Sequence, residues 1–385
     1  MIVKEMTKKY KQNIIDLRRK FHMYPEASLK EFTTSKMIKE ELDKLSIDYK
    51  SVPDTGIIAE IKGKNPGKTI ALRADIDGLS VTEENTCYYK SKNEGFMHAC
   101  GHDCHISMLL GAAMVLNDLK DELKGNVRLI FQPSEEIADG AKVMIKAGAL
   151  DGVDGVFGMH VWSDIEVGSV CVQEGPLMAS ADLFTIKVEG QGGHGSAPHQ
   201  GIDSVVASSA IVMNLQSIVS RELGPLQPAV VSVGSLNSGS RFNVIASEAI
   251  LNGTTRCFDP KIQEKFPKII ERIAKDTAAT FRAKAELQYT IGTPVVINNK
   301  TYSKLAEKSL EKIGANSIKI EKIMGGEDYA EYLNRVPGVL ALVGVRNEAK
   351  EANYPQHHPK YAVDEDALQV GTSLHVQYAL DFLNQ

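Results

Sequence analysis

The sequence predicts an α/β fold: a discontinuous domain with a mostly parallel sheet flanked by helices, interrupted by an inserted ferredoxin-like unit. The first observation is a pair of short apolar or β-branched runs, 69–75 and 126–132, that enclose a helical stretch from about 105 to 119. Strand, helix and strand in that order are typical of a βαβ unit. The second observation is a different rhythm in residues 180–292, where the predicted order is β-α-β-β-α-β.

The elements before the insert follow from their periodicity. Residues 5–20 and 31–45 are predicted helices, because apolar positions recur at steps of three and four and Pro25 interrupts between them. The apolar run 155–162, GVFGMHVW, is a third strand of the sheet. Ligands of parallel α/β sheets gather outside the carboxyl ends of the strands, so we expect a site where these runs end.

The insert reads as a complete small domain of about a hundred residues, the size of an independent folding unit. Its predicted elements are the strand DLFTIKVEG, a helix at 202–220, the strands AVVSVGSL and EAILNGTTRCF, a long helix at 260–281 and the strand AELQYTIG. Afterwards SKLAEKSLEKIG, VLALVGV and a final helix around 365–383 resume the alternation of helix and strand. We therefore predict one domain formed by 1–179 and 293–385, and a second formed by 180–292.

Composition excludes several classes of function. The chain has 385 residues, 43% hydrophobic and 24% charged, with a net charge of -5 and no Lys/Arg-rich stripe, so nucleic acid is not an expected partner. The N-terminus is charged and lacks a secretory signal, and no run of apolar residues is long enough to span a bilayer. We expect a cytoplasmic protein without a membrane partner. Five cysteines in 385 residues are an odd and sparse set, unlike a disulfide framework, and a reducing compartment would keep Cys100 available as a thiolate.

The segment 97–105, MHACGHDCH, contains three of the ten histidines and two of the five cysteines. Imidazole and thiolate are natural ligands of a borderline cation such as zinc. No similarly spaced Cys/His pair occurs downstream, which favours a metal site whose other ligands are distant in sequence. A redox or structural cysteine pair beside unrelated histidines is the alternative.

Other candidate ligands follow predicted strands or lie in constrained loops. Glu135 and Glu136 come directly after the strand that ends near residue 132, and neighbouring residues point in different directions, so one can bind metal while the other does chemistry. His160 ends the apolar part of GVFGMH, and the motif HHP at 357–359 lies in a proline-bounded loop. Taken singly, each has an ordinary alternative: a solvated glutamate pair, a hydrogen-bonded buried histidine and a plain loop.

Taken together in chain order, these motifs resemble the aminoacylase/hippurate hydrolase family of dinuclear metal amidohydrolases. That family also includes auxin-conjugate hydrolases and N-acetyldiaminopimelate deacetylases, and it is related to glutamate carboxypeptidase. The resemblance implies a catalytic domain with two divalent metal ions, and a ferredoxin-like lid through which such enzymes usually form a homodimer. The motifs that carry it are RRKFHMYPEAS, RADIDGL, MHACGHDCH, FQPSEE, MHVW, GGHGSAPHQGID, NGTTR, GGEDYA and HHP.

The resemblance also implies roles for individual residues. The implied metal ligands are Cys100, His102, Glu136, His160 and His358. Glu135 is then the general base, and Cys100 stands where relatives have a bridging aspartate. Where more distant relatives have a His-x-Asp ligand motif this chain has Asp75-Ile76-Asp77, so His102 replaces the missing histidine and Asp77 orients a ligand from behind.

Three residues of the insert match family positions that contact substrate. His194 matches a donor to the oxyanion, which in relatives often comes from the neighbouring subunit, and Asn243 and Arg256 match positions that hold the α-carboxylate of the substrate. Read alone, His194 is equally a hydrogen-bonded loop histidine, and Arg256 is a surface ion-pair residue. A departure from the family pattern is Ala246, which stands where a proline is common.

The expected activity is hydrolysis of the amide bond of N-acetyl, N-benzoyl or similar N-acyl L-amino acids through a metal-bound hydroxide. A metallo-exopeptidase or dipeptidase with the same fold is the alternative, and a non-enzymatic metal-binding or redox protein is a third reading. Zinc, manganese, cobalt and nickel all suit such ligands, so the metal stays open, as do the acyl group and the amino acid.

Overall fold

The computed structural model describes residues 2–53 and 55–385, which divide into two compact units. The first, here called the sheet unit, comprises Met1–Gly175, Ile297–Glu321 and Asp328–Gln385, and the second, the insert unit, comprises Pro176–Val296 and Lys322–Glu327. The segment Lys322–Glu327 groups with the insert unit, whereas the expected division placed it with the surrounding domain. It joins the insert unit because the Ala179 N–H donates to Ile323 O at 2.9 Å and the Ile323 N–H donates to Leu177 O at 2.9 Å.

The strands and helices have the following bounds. The strands are β1 Tyr49–Ser51, β2 Ile57–Lys62, β3 Asn65–Asp75, β4 Lys124–Gln132, β5 Gly155–Glu166, β6 Ser169–Cys171, β7 Gly175–Met178, β8 Ala181–Glu189, β9 Gly193–His194, β10 Ala229–Ser238, β11 Val244–Ile245, β12 Glu248–Cys257, β13 Lys284–Thr293, β14 Val296–Asn298, β15 Asn316–Ile318 and β16 Gly338–Arg346. The α-helices are α1 Ile2–Lys9, α2 Lys11–His22, α3 Phe32–Lys44, α4 His102–Asp118, α5 Gly140–Lys146, α6 Ser204–Leu215, α7 Pro260–Gln263, α8 Phe266–Thr280, α9 Lys300–Ile313, α10 Ala330–Leu333 and α11 Asp366–Leu383.

The sheet unit is built on an eight-stranded sheet with the order β1-β2-β4-β3-β5-β16-β6-β15. Its centre is parallel, because β4, β3, β5 and β16 pair in the same direction, whereas β1 and β2 add an antiparallel edge. This confirms the predicted α/β class with a mostly parallel sheet. The parallel register places Asp75 opposite Gln132, so the segments after β3 and β4 leave the sheet at the same edge.

Two apolar helices fill the core of the sheet unit. Helix α4 is buried on all sides from His102 to Leu116, as expected for a helix without a polar face, and α11 packs against it. Phe157 of β5 stacks on Tyr378 of α11 with ring centroids 4.1 Å apart. Within residues 2–53 and 55–385, no helix combines the length and the hydrophobicity needed to cross a membrane.

The insert unit has a four-stranded antiparallel sheet with the order β10-β12-β8-β13. In chain order its elements are β8, α6, β10, β12, α8 and β13, the predicted βαββαβ arrangement. Its own core joins Phe184 and Ile186 of β8 to Ile211 of α6 and Ile270 of α8. The long helix expected at 260–281 is divided into α7 and α8, and Pro267 lies in the first turn of α8, where a missing N–H does no harm.

Candidate metal centre

Four of the five predicted ligands come together in the sheet unit. The ligand atoms of Cys100, His102 and His160 all lie within 4.8 Å of one another, and those of His102, Glu135 and Glu136 form an overlapping group of the same size. Cys100 Sγ is 3.4 Å from His160 Nε2. His160 does not end its strand as expected, because β5 continues to Glu166.

The start of helix α4 supplies two of these ligands because of the glycine between them. Gly101 has φ of 88°, a left-handed conformation that other residues rarely adopt. A Cβ atom at this position would lie 2.3 Å from Val161 Cγ2 and 3.0 Å from Tyr361 Oη. The backbone can therefore turn sharply between Cys100 and His102, so that both side chains reach the same group of ligand atoms.

The HHP motif brings His357, and not the expected ligand His358, to the cluster. The His357 ligand atom groups with those of Cys100 and Glu136, and its Nε2 lies 3.8 Å from Glu136 Oε1. The His357 backbone has φ of 66°, and its N–H donates to Ala99 O at 2.8 Å, which fixes the loop beside Cys100.

The His358 side chain points away from the cluster, because the side chains of His357 and His358 leave the loop in different directions. Its ring stacks on Tyr354 with centroids 4.6 Å apart, and its Nδ1 accepts a hydrogen bond from the Lys360 N–H at 3.0 Å. No signal in the sequence distinguishes the two neighbouring histidines, since only the backbone conformation of the loop selects between them.

Asp77 contacts a predicted ligand from behind, in the place that the sequence suggests. His102 Nδ1 donates to Asp77 O at 2.9 Å and lies 3.2 Å from Asp77 Oδ1, so Nε2 is the nitrogen left to bind a cation. Asp77 Oδ2 accepts hydrogen bonds from Ser28 Oγ at 2.7 Å and from the Glu136 N–H at 3.1 Å. One carboxylate thereby orients both His102 and the backbone of Glu136.

The polar atoms at the centre of the cluster fit a bound cation. In the part of the chain that the structure describes, His102 Nε2 and Glu136 Oε1 are buried without a hydrogen-bond partner, and they lie 3.9 Å apart. Burial raises the pKa of Glu136 to about 7 and raises the pKa of the Cys100 thiol well above its usual range. A cation offsets these penalties by binding the ionised forms, and a set of thiolate, imidazole and carboxylate suits zinc and its neighbours among the transition metals.

A buried ionic network lies behind the ligands, and sequence reasoning missed it. The Arg73 guanidinium donates to Asp75 Oδ2 at 2.5 Å and to Asp328 Oδ1 at 2.9 Å, and all three side chains are buried. Burial alone raises the pKa of Asp75, but Arg73 and the nearby histidines outweigh it and hold this pKa well below its usual range. An arginine inside the apolar run TIALRAD was the available signal, because a charged residue in a buried strand needs a partner.

His105 connects this network to the strand that carries His160. Its Nδ1 donates to Asp75 Oδ1, and its Nε2 accepts from the Val161 N–H at 2.8 Å. Asp75 Oδ2 also lies 3.7 Å from His102 Nε2. Arg73, Asp75 and His105 therefore support two predicted ligands from behind.

The three predicted substrate contacts lie in the insert unit, where the structure brings two of them together. His194 and Asn243 are neighbours, because β9 pairs His194 with Val244 and the Gly195 N–H donates to Asn243 O at 2.9 Å. The His194 side chain is exposed, and its Nδ1 accepts a hydrogen bond from the Ser196 N–H at 3.1 Å. Arg256 lies half-buried on β12, where its guanidinium donates to Thr255 O at 2.9 Å and to Thr254 Oγ1.

Comparisons with known proteins identify the family of the chain. Residues 71–381 match the model of peptidase family M20/M25/M40. The N-acetylcysteine deacetylase of Bacillus subtilis (strain 168) is 41% identical over 375 residues, which cover 97% of each chain. Thermostable carboxypeptidase 2 of Saccharolobus solfataricus is 40% identical over 389 residues, which cover 100% of this chain and 98% of the relative.

A solved structure of high similarity is that of a Bacillus subtilis protein described as a dinuclear metal-binding peptidase of the M20 family. It has a TM-score of 0.87 and 38% identity, covering 98% of this chain and 99% of its own. The family resemblance predicted from the motifs is thus confirmed. The chain belongs to peptidase family M20/M25/M40, and it is a metal-dependent hydrolase of that family.

Proposed function

We propose that the protein hydrolyses the amide bond of N-acyl L-amino acids with two divalent cations held by Cys100, His102, Glu136, His160 and His357. The observation that carries the proposal is the convergence of these ligand atoms beside a second carboxylate, Glu135, whose ligand atom lies within 4.8 Å of those of His102 and Glu136. The relative named as an N-acetylcysteine deacetylase, at 41% identity over nearly the whole chain, supports an N-acyl amino acid as substrate.

The chemistry divides between the cations and the protein. When bound, the cations acidify a water molecule and polarise the amide carbonyl. Glu135 takes the proton of that water and delivers it to the leaving amine, a double role that suits a half-buried carboxylate beside the ligands. Asp77 holds the proton of His102 on Nδ1, which keeps Nε2 available as a ligand throughout the reaction.

The insert unit supplies the proposed substrate contacts. Because His194 Nδ1 accepts the Ser196 N–H, the ring proton of neutral His194 lies on Nε2. His194 is thus prepared to donate a hydrogen bond to the oxyanion of the tetrahedral intermediate. Arg256 and Asn243 are proposed to bind the α-carboxylate, since a guanidinium pairs with a carboxylate through two parallel hydrogen bonds.

We also propose that the protein forms a homodimer through the insert unit. Large apolar side chains are exposed on it, among them Met213 of α6 at 70% and Leu226 at 93% of their possible surface. Strand β10 is an edge of the insert sheet, and an unpaired edge beside exposed apolar residues favours pairing with a second chain.

A second candidate function is cleavage of C-terminal residues from peptides, which the relative named as a carboxypeptidase favours. Both reactions cleave an amide whose nitrogen belongs to a residue with a free carboxylate. A panel of N-acyl amino acids and peptides is therefore needed to separate them. N-acetyl and N-benzoyl amino acids should have a kcat/KM at least about tenfold above that of dipeptides and N-blocked peptides, a difference of about 1.4 kcal/mol in transition-state binding. The reverse order would make the protein a carboxypeptidase.

The Glu135→Gln variant tests the mechanism. Hydrolysis of N-acetyl amino acids should fall by at least about 100-fold, because the amide cannot accept the proton of water. Metal content, measured by mass spectrometry of the purified protein, should stay at two ions per chain. A variant that hydrolyses as well as the unchanged protein would remove Glu135 from the role of base.

A further inference from the structure

The turn that carries Glu135 and Glu136 is strained at both ends. Ser134 has φ of 60° and Ala138 has φ of 57°, and the residues between them, Glu135–Ile137, form a single 3₁₀ turn. Neither Ser134 nor Ala138 is a glycine, and a non-glycine residue in such a conformation costs on the order of 1–3 kcal/mol. A strained turn persists only where other contacts hold it, so the contacts of Ser134 identify what sets its shape.

Ser134 is held by the segment that comprises the end of the sequence motif RRKFHMYPEAS and the residues just after it. The Glu31 carboxylate is fully buried, and its Oε1 accepts the Ser134 N–H at 2.9 Å while Oε2 accepts a hydrogen bond from Thr55 Oγ1 at 2.6 Å. The Leu29 N–H donates to Ser134 Oγ at 2.9 Å. Main chain and side chain of Ser134 are thus both fixed from outside the turn.

The same segment also reaches the far side of Glu135. Ser28 Oγ donates to Asp77 Oδ2, the oxygen that accepts the Glu136 N–H at 3.1 Å. Ser28, Leu29 and Glu31 are here called the N-terminal clamp. Leu29 and Glu31 hold Ser134, the residue before the carboxylate pair, and Ser28 holds Asp77, which in turn binds the backbone of Glu136. Glu31 is the charged member of the clamp, and nothing in the proposed chemistry uses it directly.

We propose that Glu31 is a positioning residue that sets the direction of the Glu135 carboxylate through Ser134. The inference rests on the proposed role of Glu135 as the base. A fully buried carboxylate is unfavourable unless hydrogen bonds satisfy it, and both oxygens of Glu31 have such bonds, one of them to the strained residue itself. Displacement of a catalytic group by about 1 Å lowers rates by on the order of 100-fold, which is the effect expected when the clamp is released.

The test compares three variants of the full-length, metal-loaded protein. Glu31→Ala should lower kcat for an N-acetyl amino acid by about 100-fold with a nearly unchanged KM, because the base is misplaced but the substrate contacts stay. Glu31→Gln should recover most of this loss, since its amide oxygen can still accept the Ser134 N–H. Glu26→Ala is the matched control, because Glu26 belongs to the same segment but accepts hydrogen bonds from Thr33 and Thr34 at the start of α3. It should keep the kcat of the unchanged protein.

Hydrogen exchange supplies a readout that does not depend on activity. Amides of the peptide covering 132–142 should exchange faster in Glu31→Ala than in Glu31→Gln or Glu26→Ala, because the turn is no longer held. If Glu31→Ala does not fold, the Thr55→Val variant replaces it in the test, since this change releases one oxygen of Glu31. The lower kcat and the faster exchange of 132–142 should then both appear, to a smaller extent.

Unchanged kcat and unchanged exchange in the variants that release Glu31 would overturn the proposal. So would equal losses in Glu31→Ala and Glu26→Ala, because these would indicate general loosening of the segment. Should Glu135→Gln remain active, the proposed function fails instead, and the exchange experiment still reports whether Glu31 holds the turn.

Discussion

At the scale of single residues, the candidate metal centre depends on histidines whose Nδ1 atom already has a hydrogen-bond partner. His102 gives its Nδ1 proton to Asp77, and His160 Nδ1 lies 2.6 Å from Val161 O. Each ring is thus fixed with Nε2 toward the cluster, where the Cys100 thiol lies 3.4 Å from His160. Such outer hydrogen bonds contribute about 10- to 100-fold to metal affinity in comparable sites.

The choice between the two adjacent histidines is the sharpest prediction at this scale. His357→Ala should lower the bound metal from two ions per chain toward one, because His357 groups with Cys100 and Glu136. His358→Ala is the matched control and should keep both ions, since its ring stacks on Tyr354. Metal analysis after dialysis checks this, and loss of metal from His358→Ala alone would restore the original expectation.

At the scale of elements, the parallel sheet explains how distant segments reach one place. Strands β3 and β4 end side by side, and the turn with Glu135 and Glu136 and the residue Asp77 follow directly from those ends. The ionic network of Arg73, Asp75 and Asp328 lies under the same edge and is closed to water. It supports the strand of His160 through His105 and Val161.

Asp75→Asn tests whether this network supports the centre. The free energy of unfolding should fall by about 3–5 kcal/mol, because the change removes one partner of a buried ion pair. Metal affinity, measured by competition with a chromophoric chelator, should fall by about 10- to 100-fold. Asp118→Asn removes the exposed pair with Lys9 and should change neither quantity appreciably. Full metal affinity in a folded Asp75→Asn protein would show that the ionic network does not support metal binding.

At the scale of the whole molecule, the residues proposed for catalysis belong to different units, since Glu135 and the proposed ligands belong to the sheet unit and His194 belongs to the insert unit. If two chains complete each other's sites, a His194→Ala chain mixed with a Glu135→Gln chain should regain measurable activity. By the symmetry of a two-fold dimer, one of the two sites in each heterodimer then has both groups, which is about one site in four of a randomly mixed sample. Verified heterodimers without any recovery would show that each chain completes its own site.

Much of this organisation follows from sequence patterns. The βαβ rhythm and the six-element order of the insert predict both units, because period and turn chemistry are local properties of the chain. The proposed ligands before residue 161 were expected from the dense motif at 97–105, from the segment after β4 and from the family resemblance, although His160 lies within β5 and not at its end. The sequence did not predict that His357, and not His358, joins the cluster, because this depends on the backbone angles of the loop. It also did not predict the roles of Glu31, Arg73 and Asp75, because they depend on contacts between segments far apart in sequence.

Gly101 has a consequence for how this sequence can vary over generations. Its left-handed backbone and the 2.3 Å separation between a Cβ atom and Val161 Cγ2 leave no space for a side chain between Cys100 and His102. Even alanine, the smallest replacement, would be strained in this backbone conformation and would place its Cβ atom too close to Val161. In a library randomised at this single codon, selection for hydrolysis is expected to return glycine alone, although Gly101 is not among the proposed metal ligands.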